Sequence, residues 1–420
     1  MKSFIFFYTL LVMMTTVACA EEAVASAAKP LSLAECFTLA LKQSEKVAVQ
    51  QELITEAEGK FIRVFGAVLP HVSFSSSDKR QDGSGSSAFT LREVPERKFE
   101  ATQTLFNGFR EIAAMRGARA QKRQRIQDRR RAEQLLFLDV ANAFYLLLEQ
   151  QKDFEALGGI RLALLERVHE LKEREQLGRS RASEAVSAQA RLLRIEAEEE
   201  QVRSRVTTAR QLLEFLTGTP TDSLSDGEGI SNPLEPEETY LVKMDGRADV
   251  RSAEEALEVS KKQLAIVQGS FWPTVGLEGN YYVERSGAAQ DVNWDAALTV
   301  DVPIFEGGQN FGATKEAKAK KRQAELKLAE AKRLATLDSR EIYAQLQAAL
   351  SREAALEKAL LAEEENYRLE VEDYRLSLVS NLDVLDALED LQEARRDLIH
   401  AQHETKRLFW QLKVAMGETV

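Results

Sequence analysis

The eight prolines of this chain lie at positions 30, 70, 95, 220, 233, 236, 273 and 303, and their placement limits the fold more than any other feature. Proline breaks a helix interior, because it lacks the amide donor and its ring collides with the preceding turn. Here 124 residues separate Pro95 from Pro220, and 117 follow Pro303. Both spans are rich in Ala, Leu, Glu, Gln, Arg and Lys, the strong helix formers. Stretches such as LLFLDVANAFYLLLEQ (135–150) and LEKALLAEEENYRLEVEDYRL (356–376) place apolar residues three or four positions apart. Long amphipathic helices that associate along their length are expected. Gly178 interrupts the first span, and a Leu-Ser-Leu-Val-Ser-Asn run (376–381) interrupts the second, so each can turn back there. The first helix is expected from about Arg110 to Leu177, with a return from about Ser183 to Thr217. At a rise of about 1.5 Å per residue, the outgoing arm is a rod of roughly 100 Å. No compact domain is that long, so the rod protrudes or spans something.

The chain also repeats itself. LFNGF (105–109) answers IFEGG (304–308), LGRSRASEAVSA (177–188) answers LSLVSNLDVLDA (376–387), and FLTGTP (215–220) answers VAMGET (414–419), all at an offset of 199. VLPHVSF (68–74) answers FWPTVGL (271–277) at 203, an excess of four that points to loops of unequal length. Each half reads helix, strand, loop, strand, long helix, turn, helix. The expected units are a first repeat over 21–217, a linker over 218–246 with Pro, Ser, Asp and Glu in plenty, and a second repeat over 247–420. The helical hairpins occupy about 110–217 and 309–416.

Between the helices the hydrophobic period drops to two. From Thr274 to Glu284, Val275, Leu277, Gly279, Tyr281 and Val283 form one set, and the carboxylates fall in the other. Ala296, Leu298, Val300, Val302 and Ile304 alternate likewise, and 72–78 and 98–106 do so more weakly, with Phe74, Phe99, Ala101 and Leu105 on one face. Strands are expected at about 71–79, 97–106, 274–285 and 294–305. About ten alternating residues is the length of a tilted membrane strand, although a half-buried strand of a soluble sandwich carries the same pattern. Four strands cannot close a barrel, for which about eight are the practical minimum. Strands that cross a membrane must therefore share a barrel with other chains.

The start of the chain reads as a targeting segment: Met1-Lys2, an apolar run from Phe4 to Val17, and the small-residue site Ala18-Cys19-Ala20. A signal peptide over 1–20 is expected, with Cys19 as the lipid-bearing residue of a lipoprotein as the other option. Cys36 then stands alone, so there is no intramolecular disulfide framework. Lys plus Arg is 56 against 67 for Asp plus Glu, a net charge of −11. That balance argues against a nucleic-acid binder and against an arm that holds anionic lipid by polybasic attraction. A charged fraction of 29% excludes a polytopic helical membrane protein.

No residue pattern points to catalysis or to a cofactor. Among the four histidines, 71, 169, 400 and 403, His400 and His403 can share a helix face, but two histidines without a third ligand make a poor zinc site. There is no G-x-S-x-G, no P-loop and no dinucleotide fingerprint. The carboxylates are spread along helices as neighbours of Lys and Arg. The chain reads as a non-enzyme whose work is driven by a partner.

The opening LSLAECFTLALKQS, the LP-x-V-S-F strand start at 69–74, the L-F-N-G and I-F-E-G corners and the SNLDVLDA turn at 380–387 resemble the TolC-like outer-membrane factor family, and the likeness covers nearly the whole mature chain. The resemblance implies a homotrimer with a twelve-stranded barrel in outer-membrane lipid, continued by a helical barrel across the periplasm of a Gram-negative bacterium. It also implies a periplasmic adaptor (membrane-fusion) protein and an inner-membrane transporter of RND or ABC type as partners, in efflux or type I secretion. Asp383 and Asp386, spaced i, i+3, match a pair that rings the periplasmic entrance; on residue types alone they are first-turn acids favoured by the helix dipole. Tyr374 matches a tyrosine that latches the closed tip, while the arginine that often accompanies it is Val379 here. Leu177, Gly178 and Arg179 match the turn that meets the adaptor hairpin, where glycine also serves as an ordinary helix terminator. The competing reading is a periplasmic coiled-coil structural or adaptor protein, which usually carries one hairpin between small β-domains rather than two in tandem.

Overall fold

A computed structural model describes residues 30–221, 223–227 and 234–419. The segment expected as a signal peptide, with Cys19, lies outside the described residues. Ser32 opens α1 (Leu33–Gln43) through a capping box with Glu35, and Ser44 both ends α1 and caps α2 (Glu45–Gly66). Leu33, Cys36, Phe37 and Ala40 are buried at the spacing of one helix face. Strands β1 (His71–Arg80) and β2 (Glu93–Asn107) follow, then the hairpin of α3 (Arg110–Gln176) and α4 (Ala182–Thr217). The second half starts with the short α5 (Glu237–Val242) and a 3-10 turn (Lys243–Gly246). It continues through α6 (Ala248–Gly269), β3 (Thr274–Arg285), β4 (Trp294–Asp301), α7 (Gln309–Arg375) and α8 (Asn381–Ala415).

The two halves superpose in numbering as the sequence repeat requires. α3 and α7 are each 67 residues long and start 199 apart, and α4 and α8 also start 199 apart. β1 and β3 start 203 apart, and the β1–β2 loop (81–92) is four residues longer than the β3–β4 loop (286–293), which accounts for the excess. β4 ends at Asp301, short of the expected 305, because Pro303 has no amide to give a neighbouring strand and residues 302–305 have no strand beside them. β2 begins earlier than expected and includes Pro95. Its pairing with β3 stops at Glu96, so the missing Pro95 amide leaves no ladder bond unmade on that side.

The four strands form one antiparallel sheet in the order β1-β2-β3-β4. Opposed residues share a face. One face carries Val72–Ala101 and Phe74–Phe99, then Phe99–Tyr281, then Tyr281–Trp294, Leu277–Leu298 and Val275–Val300. The other carries Ser73–Glu100 and Ser75–Lys98, then Glu100–Asn280 and Lys98–Tyr282, then Asn280–Asp295. On that polar face Asn280 and Tyr282 each donate to Asp295 at 2.9 Å. Among the described residues no helix covers the apolar face: Val72 is 70% exposed, Trp294 68% and Leu298 64%.

The helices supply the core. Near mid-length, α1 packs on α3 around Phe137, Val140 and Phe144, with Leu213 of α4 and Val414 of α8 completing the cluster. Toward the turns, Leu157, Leu164 and Leu171 of α3 meet Leu192 and Ile195 of α4 and Leu385 and Leu388 of α8. A third cluster joins Leu346 of α7 and Leu412 of α8 to Tyr240, Met244 and Val250. At the strand-to-helix corner, Gly108 (φ 55°) touches the last residue of α6 backbone to backbone. A Cβ on Gly108 would stand 2.2 Å from the Gly269 carbonyl oxygen, so neither residue tolerates a side chain.

Candidate functional site

The free end of the double hairpin concentrates the residues singled out in the sequence. Both turns have one geometry. After α3, Gly178 (φ 69°) donates to Glu175 O at 2.9 Å and Arg179 to Arg174 O at 2.7 Å. After α7, Ser377 (φ 61°) donates to Tyr374 O at 3.0 Å and Leu378 to Asp373 O at 2.9 Å. These are left-handed helix terminators that satisfy the last carbonyls. Leu177, Leu376 and Leu378 are each about 70% exposed, and no atom would meet a Cβ on Gly178.

Asp383 is a capping acid. Its carboxylate accepts from the Ser380 hydroxyl and the Ser380 amide, both at 2.7 Å. The Ser380 hydroxyl, and after it the Ser380 amide, holds the Asp383 carboxyl below the usual carboxylate range. Asp386 is paired across the hairpins: Arg191 of α4 places Nη2 2.5 Å from its Oδ1 and donates Nη1 to Glu389 at 2.6 Å and to the Leu385 carbonyl at 2.8 Å. The guanidinium is seated, 19% exposed, whereas Asp386 and Glu389 are 55% and 64% exposed. The sequence reading missed Arg191, whose partners lie almost two hundred positions away. The repeat offset gives the one available signal. Asp386 and Glu389 correspond to Ser187 and Ala190, and Arg191 corresponds to Asp390, so the repeat equivalence is lost at all three charged positions.

Tyr374 is buried at 8% exposure in the tip cluster. The cations on its ring come from the other hairpin: Arg167 lies 4.0 Å and Arg174 4.9 Å from the ring centroid. Arg167 also donates Nε to Asn381 at 2.9 Å, tying α3 to the first residue of α8. Val379 packs against the same cluster. The cationic neighbour that Val379 cannot supply is thus supplied by α3, from two arginines seven residues apart on one helix face.

Farther from the turns a charged seam joins α3 to α8. Asp153, fully buried, receives Arg396 at 2.5 and 3.1 Å, and Arg396 also binds Glu198 of α4. Glu149 receives His400 at 2.7 Å and Arg407 at 2.6 Å. Burial pushes the Glu149 carboxyl up, but the bonds from His400 and Arg407 outweigh it and leave it below the usual range. The bond to Glu149 raises His400 against the opposing effect of burial, while burial lowers His403, whose Nδ1 lies 2.7 Å from Ile399 O. The two histidines face different partners, and among the described residues no group of three or more His, Cys, Asp or Glu could hold a metal ion. Between α3, α4 and α8 this seam borders a groove of about 440 Å³, with Arg191, Arg194 and Arg396 facing Glu198, Glu389 and Asp397.

Comparison with known proteins places this geometry among relatives. The profile of the family described as "Outer membrane efflux protein" matches residues 39–219 and 244–418, well over half of the chain. The outer membrane protein TolC of Vibrio cholerae is 23% identical over 313 residues, which cover 71% of this chain and 72% of that protein. The outer membrane efflux protein BepC of Brucella suis is 22% identical over 361 residues, covering 83% and 79%. The crystal structure of the outer membrane protein VceC of Vibrio cholerae superposes with a TM-score of 0.79 at 20% identity, over 92% of this chain and 96% of that one. That likeness concerns the fold.

Proposed function

The chain belongs to the outer membrane efflux protein family, and from that premise we propose that it is the outer-membrane channel of an efflux or type I secretion machine. The observation that carries the reading is the sheet. Three of its four strands are ten or more residues long, as membrane-spanning strands are; it has one apolar face that no described helix covers, one hydrogen-bonded polar face and two open edges, and it stands on helices roughly 100 Å long. Open edges on a four-stranded sheet are satisfied when copies join them into a closed barrel with its polar face inward. Three copies give twelve strands, with the helices forming a tunnel below them.

In this reading the tunnel conducts passively, from periplasm to exterior. A periplasmic adaptor engages the exposed turns around Leu177, Gly178 and Arg179, and an inner-membrane transporter of RND or ABC type supplies the energy. Three chains bring six carboxylates of Asp383 and Asp386 to the constriction, favouring cations. The tip opens when the hairpins part, which requires separating Tyr374 and Asn381 from Arg167, and Asp386 from Arg191. Planar-bilayer recording of the detergent-extracted oligomer tests this. Discrete, cation-preferring steps are expected, and Asp383→Ala with Asp386→Ala should weaken both cation preference and block by multivalent cations. A verified oligomer that is silent both as wild type and as the double variant would overturn the channel reading. Unchanged selectivity in a conducting double variant would remove the ring alone.

A further inference from the structure

We infer that the helix ends beneath the sheet form a cationic collar that binds anionic phospholipid headgroups in the leaflet on their side of the membrane; the inference rests on the membrane barrel proposed above. The four helix ends that carry the sheet lie close to one level. Gly108, just ahead of α3, packs on the last residue of α6. Phe271, just past α6, meets Phe311 of α7 edge to face at 5.5 Å, and Arg119 of α3 lies 5.2 Å from the Phe61 ring of α2. The ten residues of each helix nearest the sheet are 57–66, 110–119, 260–269 and 309–318, about 15 Å of rise. Together they hold nine Lys or Arg against three Glu, a net of +6 in a chain whose total is −11. The total charge therefore conceals a basic zone confined to one level of the molecule.

The apolar face of the sheet leads into this zone. Phe106 stands opposite Val275, and Val275 opposite Val300, on that face. Phe109 meets Phe106 edge to face at 5.2 Å and carries the face to the first turn of α3. Ile112, Arg116 and Arg119 continue from it at three- and four-residue steps as one exposed stripe. The second half repeats the order at the offset of 199, with Phe311, Lys315 and Lys318 standing where Ile112, Arg116 and Arg119 stand. Phe109, Trp272, Phe305 and Phe311 are 59%, 56%, 86% and 75% exposed. Away from the sheet, each stripe thus passes from apolar and aromatic groups to cations, the order met on leaving a bilayer through its interface. Arg63, Arg110, Arg116, Arg119, Lys315 and Lys318 have no ion-pair partner among the described residues, so the chain does not neutralise them. Their long stems can lie along apolar surface while the charged ends stay in the polar layer. The anion that lies beside an exposed aromatic belt is a headgroup phosphate, and its attraction to each nearby Lys or Arg acts within about a screening length.

Quenching of Trp272 fluorescence by brominated lipid tests it. Trp272 sits at the corner, Trp410 packs against the helical core, and Trp294, at the other end of the sheet, is removed as Trp294→Phe. The full-length oligomer is placed in vesicles of phosphatidylcholine and phosphatidylglycerol, with one or the other brominated. At low salt phosphatidylglycerol should associate beside Trp272 about fivefold more tightly than phosphatidylcholine. The preference should vanish in 1 M salt, where the screening length is about 3 Å. Arg116→Gln with Arg119→Gln, Lys315→Gln and Lys318→Gln should remove it at low salt, and inorganic phosphate at fixed ionic strength should not compete. Equal quenching by the two lipids at low salt, or a preference that survives 1 M salt or the four substitutions, overturns the inference and leaves the barrel standing. A preference that inorganic phosphate abolishes overturns it too, and assigns the collar to dissolved anions. A Trp272 that neither lipid quenches overturns the barrel, and the inference with it.

Discussion

Replacing Arg396 by methionine isolates the charged seam that joins the hairpins. The substitution keeps most of the apolar stem and removes the guanidinium that meets both oxygens of Asp153, a carboxylate with no exposed surface. Asp153 would be left buried without a counter-charge, which in comparable sites costs about 3–5 kcal/mol. Each ~1.4 kcal/mol is a factor of ten, so local separation of α3 from α8 should become on the order of 10²- to 10³-fold more frequent. Arg352→Met is the control. Its pair with Glu404 spans 3.4 Å with both side chains about half exposed, and such pairs are worth about 0–1 kcal/mol. Amide hydrogen exchange of the detergent-solubilised protein over residues 146–157 and 389–400 reads the opening directly. Arg396→Met should lose protection there, and adding Asp153→Asn should recover most of it. If Arg396→Met exchanges within about fivefold of the Arg352→Met control, burial of Asp153 is not what makes the seam costly to break.

The pH response of the same seam has a definite sign. His400 is raised by Glu149, so its contribution is complete below the unfolded histidine value, about 6.5, and is lost as pH rises through the higher folded value. Protection at 389–400 should therefore fall as pH rises above about 6.5, and His400→Gln should flatten that fall. Arg191→Gln should increase cation preference and tighten block by trivalent lanthanum on the order of tenfold, because it frees Asp386 and Glu389; a weaker block would mean Arg191 does not offset them. Gly178→Trp should leave the oligomer assembled yet abolish transport, since Ser377 already tolerates a side chain in the equivalent backbone conformation and the space at Gly178 is open. Loss of assembly would assign Gly178 a structural role alone.

What could be read from the sequence follows from how local each determinant is. The 67-residue helices, the break at Gly178 and the alternation in β3 are set by neighbours within a few residues, which is why local spacing can read them. The pairing of Asp386 with Arg191, and of Tyr374 with Arg167 and Arg174, depends on which helix faces meet across the repeats. No local spacing encodes that. β4 ends earlier than its alternation for the opposite reason: the pattern continues past Asp301, but a strand needs a neighbour, and among the described residues none lies beside 302–305.

The loss of equivalence at Arg191, Asp386 and Glu389 has a consequence for how such a chain arose. Identical half-length subunits, six to a ring, would carry the same side chain at every tip, so acids at one tip would mean acids at all of them. Joining two halves in one gene allows alternate tips to specialise. Here one tip of each pair carries Asp386 and Glu389 and the other carries Ser187 and Ala190, with Arg191 on the same helix to hold its neighbour's acids. In the three-copy barrel proposed above, fusion would let the sheet end keep near-sixfold regularity while the tip end is threefold, with half as many of these acids brought together there.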